Sequence, residues 1–348
     1  MTELPSTSDR DNNFGLLRLF AASEVMVVHV IHYFGIDIGK FLPVLEYFPG
    51  VSIFFVISGF LISTSWIRSK SVLDYIVKRA ARIYPALWLC ILITIIGVSI
   101  FGFSLANFDG AVWAILQCLG IIFTPSDLRD YGIGAYNSSL WTIPIEIQFY
   151  IFAPIVIYLS QRTGRYAVSL FLFLIVFAGI AAFMGHDIPS FDTHMTRAQK
   201  ILSHSFVPYF WMFLLGAFLR AIDAHKSRLI SNKGLIWVSI YVILTAISPH
   251  SQESIIISRA ILGVSAISVA YTYKFLNRMT LRDFDISYGI YIFHGIMINV
   301  IFQSKVHDAA LAFFFVSFGT ILLSVISWLF IERPMIEFSH TKTMRLSS

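Results

Sequence analysis

The chain has 348 residues, 57% of them hydrophobic and only 13% charged, with 16% aromatic residues and a formal net charge of +5. A soluble domain carries about 25% charged residues, so the composition excludes an ordinary soluble protein and points to one that crosses a membrane several times. The basic balance does not indicate a nucleic-acid partner, because Lys and Arg are scattered among loops between apolar runs, as membrane proteins have them.

Apolar runs fall at 14–34, 48–67, 83–102, 111–124, 143–160, 167–184, 204–221, 234–248, 256–273, 286–303 and 309–331. The first is read as a retained helix, since no small-residue cleavage site follows it. The fourth, AVWAILQCLGIIF, is short for a span and is expected to be re-entrant or peripheral. If it does not cross, 19 of the 25 Lys and Arg residues lie on one side; the six opposite are Lys40, Arg129, Arg197, Lys200, Arg259 and Lys305. If it crosses, that asymmetry largely disappears. The positive-inside rule therefore favours about ten spans with both termini cytoplasmic. The expected fold is all-α: a polytopic transmembrane helical bundle of about ten spans plus one short re-entrant or peripheral helix. Residues 1–13 are expected to form a cytoplasmic tail, 14–337 the membrane domain and 338–348 a second cytoplasmic tail, with no soluble domain expected after it. The expected location is a bacterial cytoplasmic (inner) membrane.

Polar residues inside the apolar runs carry the functional information, because each is costly in a bilayer. In GLLRLFAASEVMVVHVIHYF, Arg18 and His29 are eleven residues apart. At 100° per residue they share one helix face, with a rise of roughly 16 Å between them. Snorkelling explains an isolated arginine and packing an isolated histidine; together they suggest an anion at the membrane surface and acid–base chemistry deeper in. Glu24 falls some 120° from that stripe and reads as a bundle partner. In VSIFFVISGFLISTSW, Ser58 offers a hydroxyl and Gly59 permits close backbone approach. Lys78, Arg79 and Arg82 cluster in SVLDYIVKRAARIYPALW, where the third span is expected to begin, with Pro85 and Trp88 marking the interface. Such a patch binds lipid headgroups or the phosphates of a nucleotide.

Glu146, a few residues into the fifth long run, is expected on the far side of the membrane near the depth of His29, where a carboxylate would orient the imidazole and raise its basicity. Tyr288, Tyr291 and His294, spaced by three, share a helix face that would line the bundle interior. The two cysteines, Cys90 and Cys118, lie in apolar stretches without metal-ligand spacing and read as packing residues, and no metal is expected.

Taken in order, NNFGLLRLFAA…H, FFVISGFLI, KRAARIYP, SLWTIPIEIQFY, SYGIYIFH and a terminal IERP resemble the acyltransferase-3 family of integral membrane acyltransferases across residues 12–334. The resemblance implies transfer of an acetyl group from cytoplasmic acetyl-CoA to a sugar hydroxyl of a surface polysaccharide or lipid-linked glycan. It implies His29 as the catalytic histidine, Arg18 as its paired arginine and Glu146 as the acidic residue of the SLW stretch. Arg79 and Arg82 stand at the R-x-x-R that meets the cofactor's phosphates, and Ser58 at the SGF turn. Trp141, Tyr288, Tyr291 and His294 are candidate substrate-pocket residues. Acetyl-CoA is the expected co-substrate, and the lipid bilayer, the glycan acceptor and other cell-envelope assembly proteins the expected partners. Glu24 departs from the family's usual apolar residue. Loops 35–47, 103–142 and 185–203 are expected to shape the outer entrance. The alternative from another class is a transporter or flippase for a glycan or lipid, because buried His, Arg and Glu also mark substrate pathways.

Overall fold

The computed structural model describes residues 12–164, 167–184, 205–247, 252–272 and 284–345. Loop 185–203 and the basic residues Arg10, Arg165, Arg197, Lys200, Lys274, Arg278 and Arg282 lie outside them. The described residues form helices and no strands. In chain order these are α1 (Phe14–Tyr33), the short α2 (Leu42–Glu46), α3 (Gly50–Arg68), α4 (Val72–Ile100), α5 (Phe108–Cys118), α6 (Thr142–Thr163), α7 (Ala167–Met184), α8 (Phe210–Ala221), α9 (Gly234–Ile247), α10 (Gln252–Ala270), α11 (Ser287–Gln303), α12 (Ala309–Ser327) and α13 (Arg333–Arg345). Among the described residues, five stretches are long and apolar enough to cross a membrane: Phe14–Tyr33, Leu42–Arg68, Val72–Ile100, Ser138–Thr163 and Ala309–Ser339.

The helices cluster into two units made of interleaved chain segments. One comprises residues up to Ala21, Tyr47–Arg68 and Ile145–Asp283; the other comprises Ala22–Glu46, Ser69–Pro144 and Phe284 onward. In the first unit α3 packs on α8 and α10, and α9 packs on α10. The α3–α8 crossing is set by two glycines. A Cβ on Gly59 would lie 2.0 Å from the Phe213 carbonyl oxygen, and one on Gly216 would lie 2.0 Å from that of Val56. The two backbones touch because neither position has a side chain. Phe149 fills the flank of this crossing, stacked 4.5 Å from Phe213 and edge-on to Phe55 at 5.5 Å.

In the second unit α11 is the central element, packed on α4 and α12 and buried at nearly every position from Ser287 to Ile301. A loop of polar residues docks on it. Asn299 donates to the carbonyls of Ala135 and Tyr136 at 3.0 and 3.1 Å and accepts from the Ile133 N–H at 2.9 Å. Gln303 accepts from the Gly132 N–H at 2.9 Å, and Asn137 donates to the Ile292 carbonyl at 2.8 Å. Tyr136 donates to Gln117 at 2.6 Å, and burial holds its phenol well above the usual range, so the hydroxyl stays a donor. These amides satisfy backbone groups that would otherwise be buried unpaired at a cost of about 1–3 kcal/mol each. Asn299→Leu is accordingly expected to lower the melting temperature of the detergent-purified protein by several degrees, because it strands three loop groups at once.

Two boundaries differ from the sequence reading. The third apolar run was expected to start near residue 83, yet α4 begins at Val72, so Lys78, Arg79 and Arg82 stand within the helix. Ser71 caps that start by accepting from the Asp74 N–H, and the Asp74 carboxylate reaches back to the Lys70 N–H and to Lys78. Pro85, expected to mark the point where the chain meets the interface, lies inside α4 and is buried. Its lost hydrogen bond costs about 3 kcal/mol, offset by the burial of Ile83, Ala86, Leu87, Cys90 and Ile91. At the other end, helix continues to Arg345 through residues expected to be tail, by way of a π-helical turn at Trp328–Glu332.

The short fourth run becomes α5, capped by Asn107 accepting from the Gly110 N–H at 2.6 Å. Its 11 residues rise only about 16 Å, half the thickness of a bilayer core. It buries Trp113 and Gln117 and exposes Phe108, Ile115 and, at its C-cap, Leu119.

Candidate active site

Arg18 and His29 both lie on α1, eleven residues apart, and both are half-buried. His29 falls in the second unit, beside α11. Its Nδ1 lies 3.0 Å from Nε2 of His294, and the His294 Nδ1 lies 2.9 Å from the carbonyl oxygen of Ile290, one turn back on α11. A carbonyl oxygen only accepts, so the His294 Nδ1 carries a proton and donates it. In a neutral imidazole this leaves the His294 Nε2 bare, and it accepts from Nδ1–H of His29. The His29 Nε2 is then the bare nitrogen. A fully buried histidine anchored to backbone thus fixes the tautomer of a half-buried one and leaves its far nitrogen with a free lone pair.

The surroundings hold both rings in place. Tyr33 lies edge-on to His29 at 5.8 Å between ring centroids, one helical turn further along α1. Tyr291 flanks His294 at 6.1 Å and accepts a hydrogen bond from Thr142 at 3.0 Å. Thr142 follows the 3-10 turn Ser138–Trp141, so the SLW segment and α11 meet here, with Trp141 half-buried at the end of that turn. Of the aromatic face read on α11, Tyr291 and His294 join the site. Tyr288 is tied instead to the Ile83 carbonyl of α4 at 3.1 Å.

Glu146 was expected to be the orienting partner of His29. The Nδ1 position where an orienter acts is taken by His294, and the Glu146 carboxylate accepts from Tyr150, one turn on in α6, at 2.6 Å. Ser58 is half-buried on α3, next to the glycine of the helix crossing.

On α4, Arg79 and Arg82 are three residues apart and half-buried. Arg82 donates to Asp285 at 2.7 Å, and Asp285 is itself fixed by the N–H and hydroxyl of Ser287 at the start of α11. Glu332 of the π-helical turn lies within electrostatic reach of Arg82 and Asp285 and accepts from Ser327 at 2.8 Å. Glu332 entered the sequence reading only within the IERP motif, and Asp285 was not singled out. Their signal was present, since each is a carboxylate at the edge of a strongly apolar run. Among the described residues no group of three His, Cys, Asp or Glu side chains is placed to hold a metal ion.

Residues 11–329 match the family described as acyltransferase domain, and the chain belongs to it. It is an acyltransferase. It is 29% identical to nodulation protein 10 of Rhizobium leguminosarum bv. viciae, with 97% of each chain covered. It is 28% identical to the O-acetyl transferase of Shigella phage Sf6, covering 96% of this chain and 98% of that one. It is also 28% identical to the peptidoglycan O-acetyltransferase OatA of Listeria monocytogenes, over 83% of this chain and 51% of that one. No solved structure matches the chain significantly.

Proposed function

We propose that the protein is a membrane-embedded O-acetyltransferase of about ten spans, with both termini cytoplasmic. It moves acetyl from cytoplasmic acetyl-CoA to a sugar hydroxyl of a surface polysaccharide or lipid-linked glycan. The observation that carries this reading is the chain Ile290 carbonyl–His294–His29, which leaves Nε2 of His29 without a proton and with its lone pair free. Relatives named for O-acetyl transfer and for exopolysaccharide production support the acceptor class.

Acetyl-CoA docks from the cytoplasmic side with its phosphates against Arg79 and Arg82, and Arg18 lies near the mouth of the path along α1. Asp285 holds the Arg82 guanidinium in a set orientation, so part of the ordering entropy is removed before the anion arrives. His29 takes the proton of the acceptor hydroxyl as its oxygen attacks the thioester carbonyl. The carbon–sulfur bond breaks, and the proton held on His29 passes to the departing CoA thiolate. Ser58 and Arg18 contribute to donor binding, while Trp141 and Tyr291 line the acceptor pocket. Glu146, bonded to Tyr150, assists on the acceptor side of the same step. The membrane is the cytoplasmic one, and other envelope-assembly proteins supply the acceptor.

Membranes containing the protein, incubated with acetyl-labelled CoA, are expected to release CoA and place label on glycan. Proton-coupled uptake with no acyl transfer would overturn the reading. Arg82→Ala is expected to raise KM for acetyl-CoA roughly ten- to a hundred-fold, as loss of a charge-assisted hydrogen bond of about 1.5–3 kcal/mol requires, with a smaller change in kcat.

A further inference from the structure

The π-helical turn Trp328–Glu332, between α12 and α13, holds two polar groups that the fold leaves unused. Glu332 is only 1% exposed; its Oε1 accepts from Ser327 at 2.8 Å, while its Oε2 is buried and meets no donor among the described residues. Trp328 is buried too, and its indole N–H meets no acceptor among them. A buried indole N–H ordinarily finds a partner, and a buried polar atom without one destabilises the fold. One turn thus carries both a spare donor and a spare acceptor.

The two groups lie on the same side of the turn. The Arg333 N–H bonds the Trp328 carbonyl, so a single wide turn carries the chain from Trp328 round to Glu332. Leu329 and Phe330, between them, are exposed on the other side. Turns of this kind interrupt regular helix and are frequent at functional sites.

Contacts place the turn beside the arginine of α4. α12 runs antiparallel to α11: a Cβ on Gly289 would lie 2.8 Å from the Ser324 Cβ, and Gly319 faces the side chain of Met297. Trp328, one turn past Ser324, therefore falls level with the start of α11, between Asp285 and Tyr288. Those two residues are bonded to α4, Asp285 to Arg82 at 2.7 Å and the Tyr288 hydroxyl to the Ile83 carbonyl at 3.1 Å. The π-helical turn itself packs on α4. From this level His294 stands seven residues past Ser287, about 10 Å further along α11. Arg82, the turn, His294 and His29 all belong to one unit.

An indole N–H and a carboxylate oxygen together are the complement of a secondary amide, whose carbonyl accepts and whose N–H donates. We propose that Trp328 and Glu332 form a binding site for such an amide, that of the pantetheine arm of the acyl donor. Trp328 Nε1 donates to the amide carbonyl, and Glu332 Oε2 accepts from the amide N–H. This rests on the donor assigned under the proposed function: an arm whose phosphates meet Arg82 and whose thioester reaches His29 starts at the level of this turn. The site reads the arm and not the nucleotide, so it selects pantetheine-bearing donors from among the anions that Arg82 admits.

The test uses the purified full chain in nanodiscs of neutral phosphatidylcholine, titrated calorimetrically with CoA and with adenosine 3′,5′-bisphosphate, which has the nucleotide but no arm. The wild type is expected to bind CoA more tightly than the bisphosphate. Trp328→Phe removes the N–H and keeps an aromatic ring, and Glu332→Gln sets an amide NH2 in place of an oxygen. Each is expected to weaken CoA binding about tenfold and to leave the bisphosphate affinity unchanged, whereas Arg82→Ala weakens both probes alike. If one of the two turn variants does not fold, the other carries the test. Equal binding of the two probes by the wild type, CoA binding unaltered in the variants, or equal weakening of both probes by them overturns the arm site. A folded wild type that binds no CoA overturns the donor reading and the arm site with it. Trp328- and Glu332-dependent CoA binding in a preparation that moves no acetyl label from acetyl-CoA sustains the arm site and overturns only the transfer reaction.

Discussion

His29→Ala is expected to reduce acetyl transfer by about 10²–10⁴-fold, the usual contribution of a positioned general base, with protein level and acetyl-CoA affinity retained. The size follows from the chemistry. A sugar hydroxyl is a poor nucleophile until its proton is taken, and the His29–His294 chain leaves Nε2 of His29 to take it. His294→Ala is expected to lower kcat on the order of 10–100-fold, because His29 then loses the acceptor that selects its tautomer. The two variants separate base from positioning residue. His294→Gln offers an amide oxygen to the His29 Nδ1–H and should recover part of kcat, whereas His29→Gln should recover none. The pH dependence of kcat should change in the His294 variants, since the acceptor on Nδ1 sets the basicity of Nε2. Full activity in a properly inserted His29→Ala protein would remove His29 from the chemistry.

Gly216→Val is expected to cause a large loss of stability at the α3–α8 crossing. Even a Cβ at this position meets the Val56 carbonyl oxygen at 2.0 Å, and the next contact is the Phe60 nitrogen at 2.8 Å. These are backbone atoms of a neighbouring helix, so no side-chain rotation relieves the overlap and the helices must move apart. Separation opens the contact that Phe149, Phe213 and Phe55 fill beside it. Overpacking of a well-filled core costs about 1–3 kcal/mol, and the backbone clash places this change at or above the top of that range. Gly59→Val should behave alike, with the Phe213 carbonyl oxygen at 2.0 Å. Gly179→Ala provides the contrast. Nothing lies within 4 Å of its Cβ position, and in a helix interior alanine is favoured over glycine by roughly 0.5–1 kcal/mol. Thermal unfolding in detergent, read by the loss of monodisperse protein, should give a sharply lowered midpoint for the first two and an unchanged or raised one for the third.

Much of this molecule follows from the order of its residues alone. A helix satisfies its own backbone hydrogen bonds, so hydropathy along the chain finds α1, α3, α6, α7, α9, α11 and α12 to within a few residues. The same local logic reads α5 as short for a span and puts Arg18 and His29 on one helix face. The motifs were also enough to place the chain in its family, which residues 11–329 match.

The partners of the polar residues are another matter. His29 meets His294 across 265 positions of sequence, and Arg82 meets Asp285 across 203. Periodicity states which face of a helix a residue occupies but not which other helix that face meets. That choice is made by crossings, through Gly59 and Gly216 in one unit and through the amides of Asn137 and Asn299 that dock a loop on α11 in the other. Glu146 matched His29 in expected depth, and depth was the only coordinate the sequence supplied. His294 takes the orienting position because α11 presents it to Nδ1 of His29 while its own Nδ1 is held by the Ile290 carbonyl. The run of residues determined that a costly histidine would lie in an apolar helix; the packing of α1 on α11 decided which of its nitrogens is left free to act.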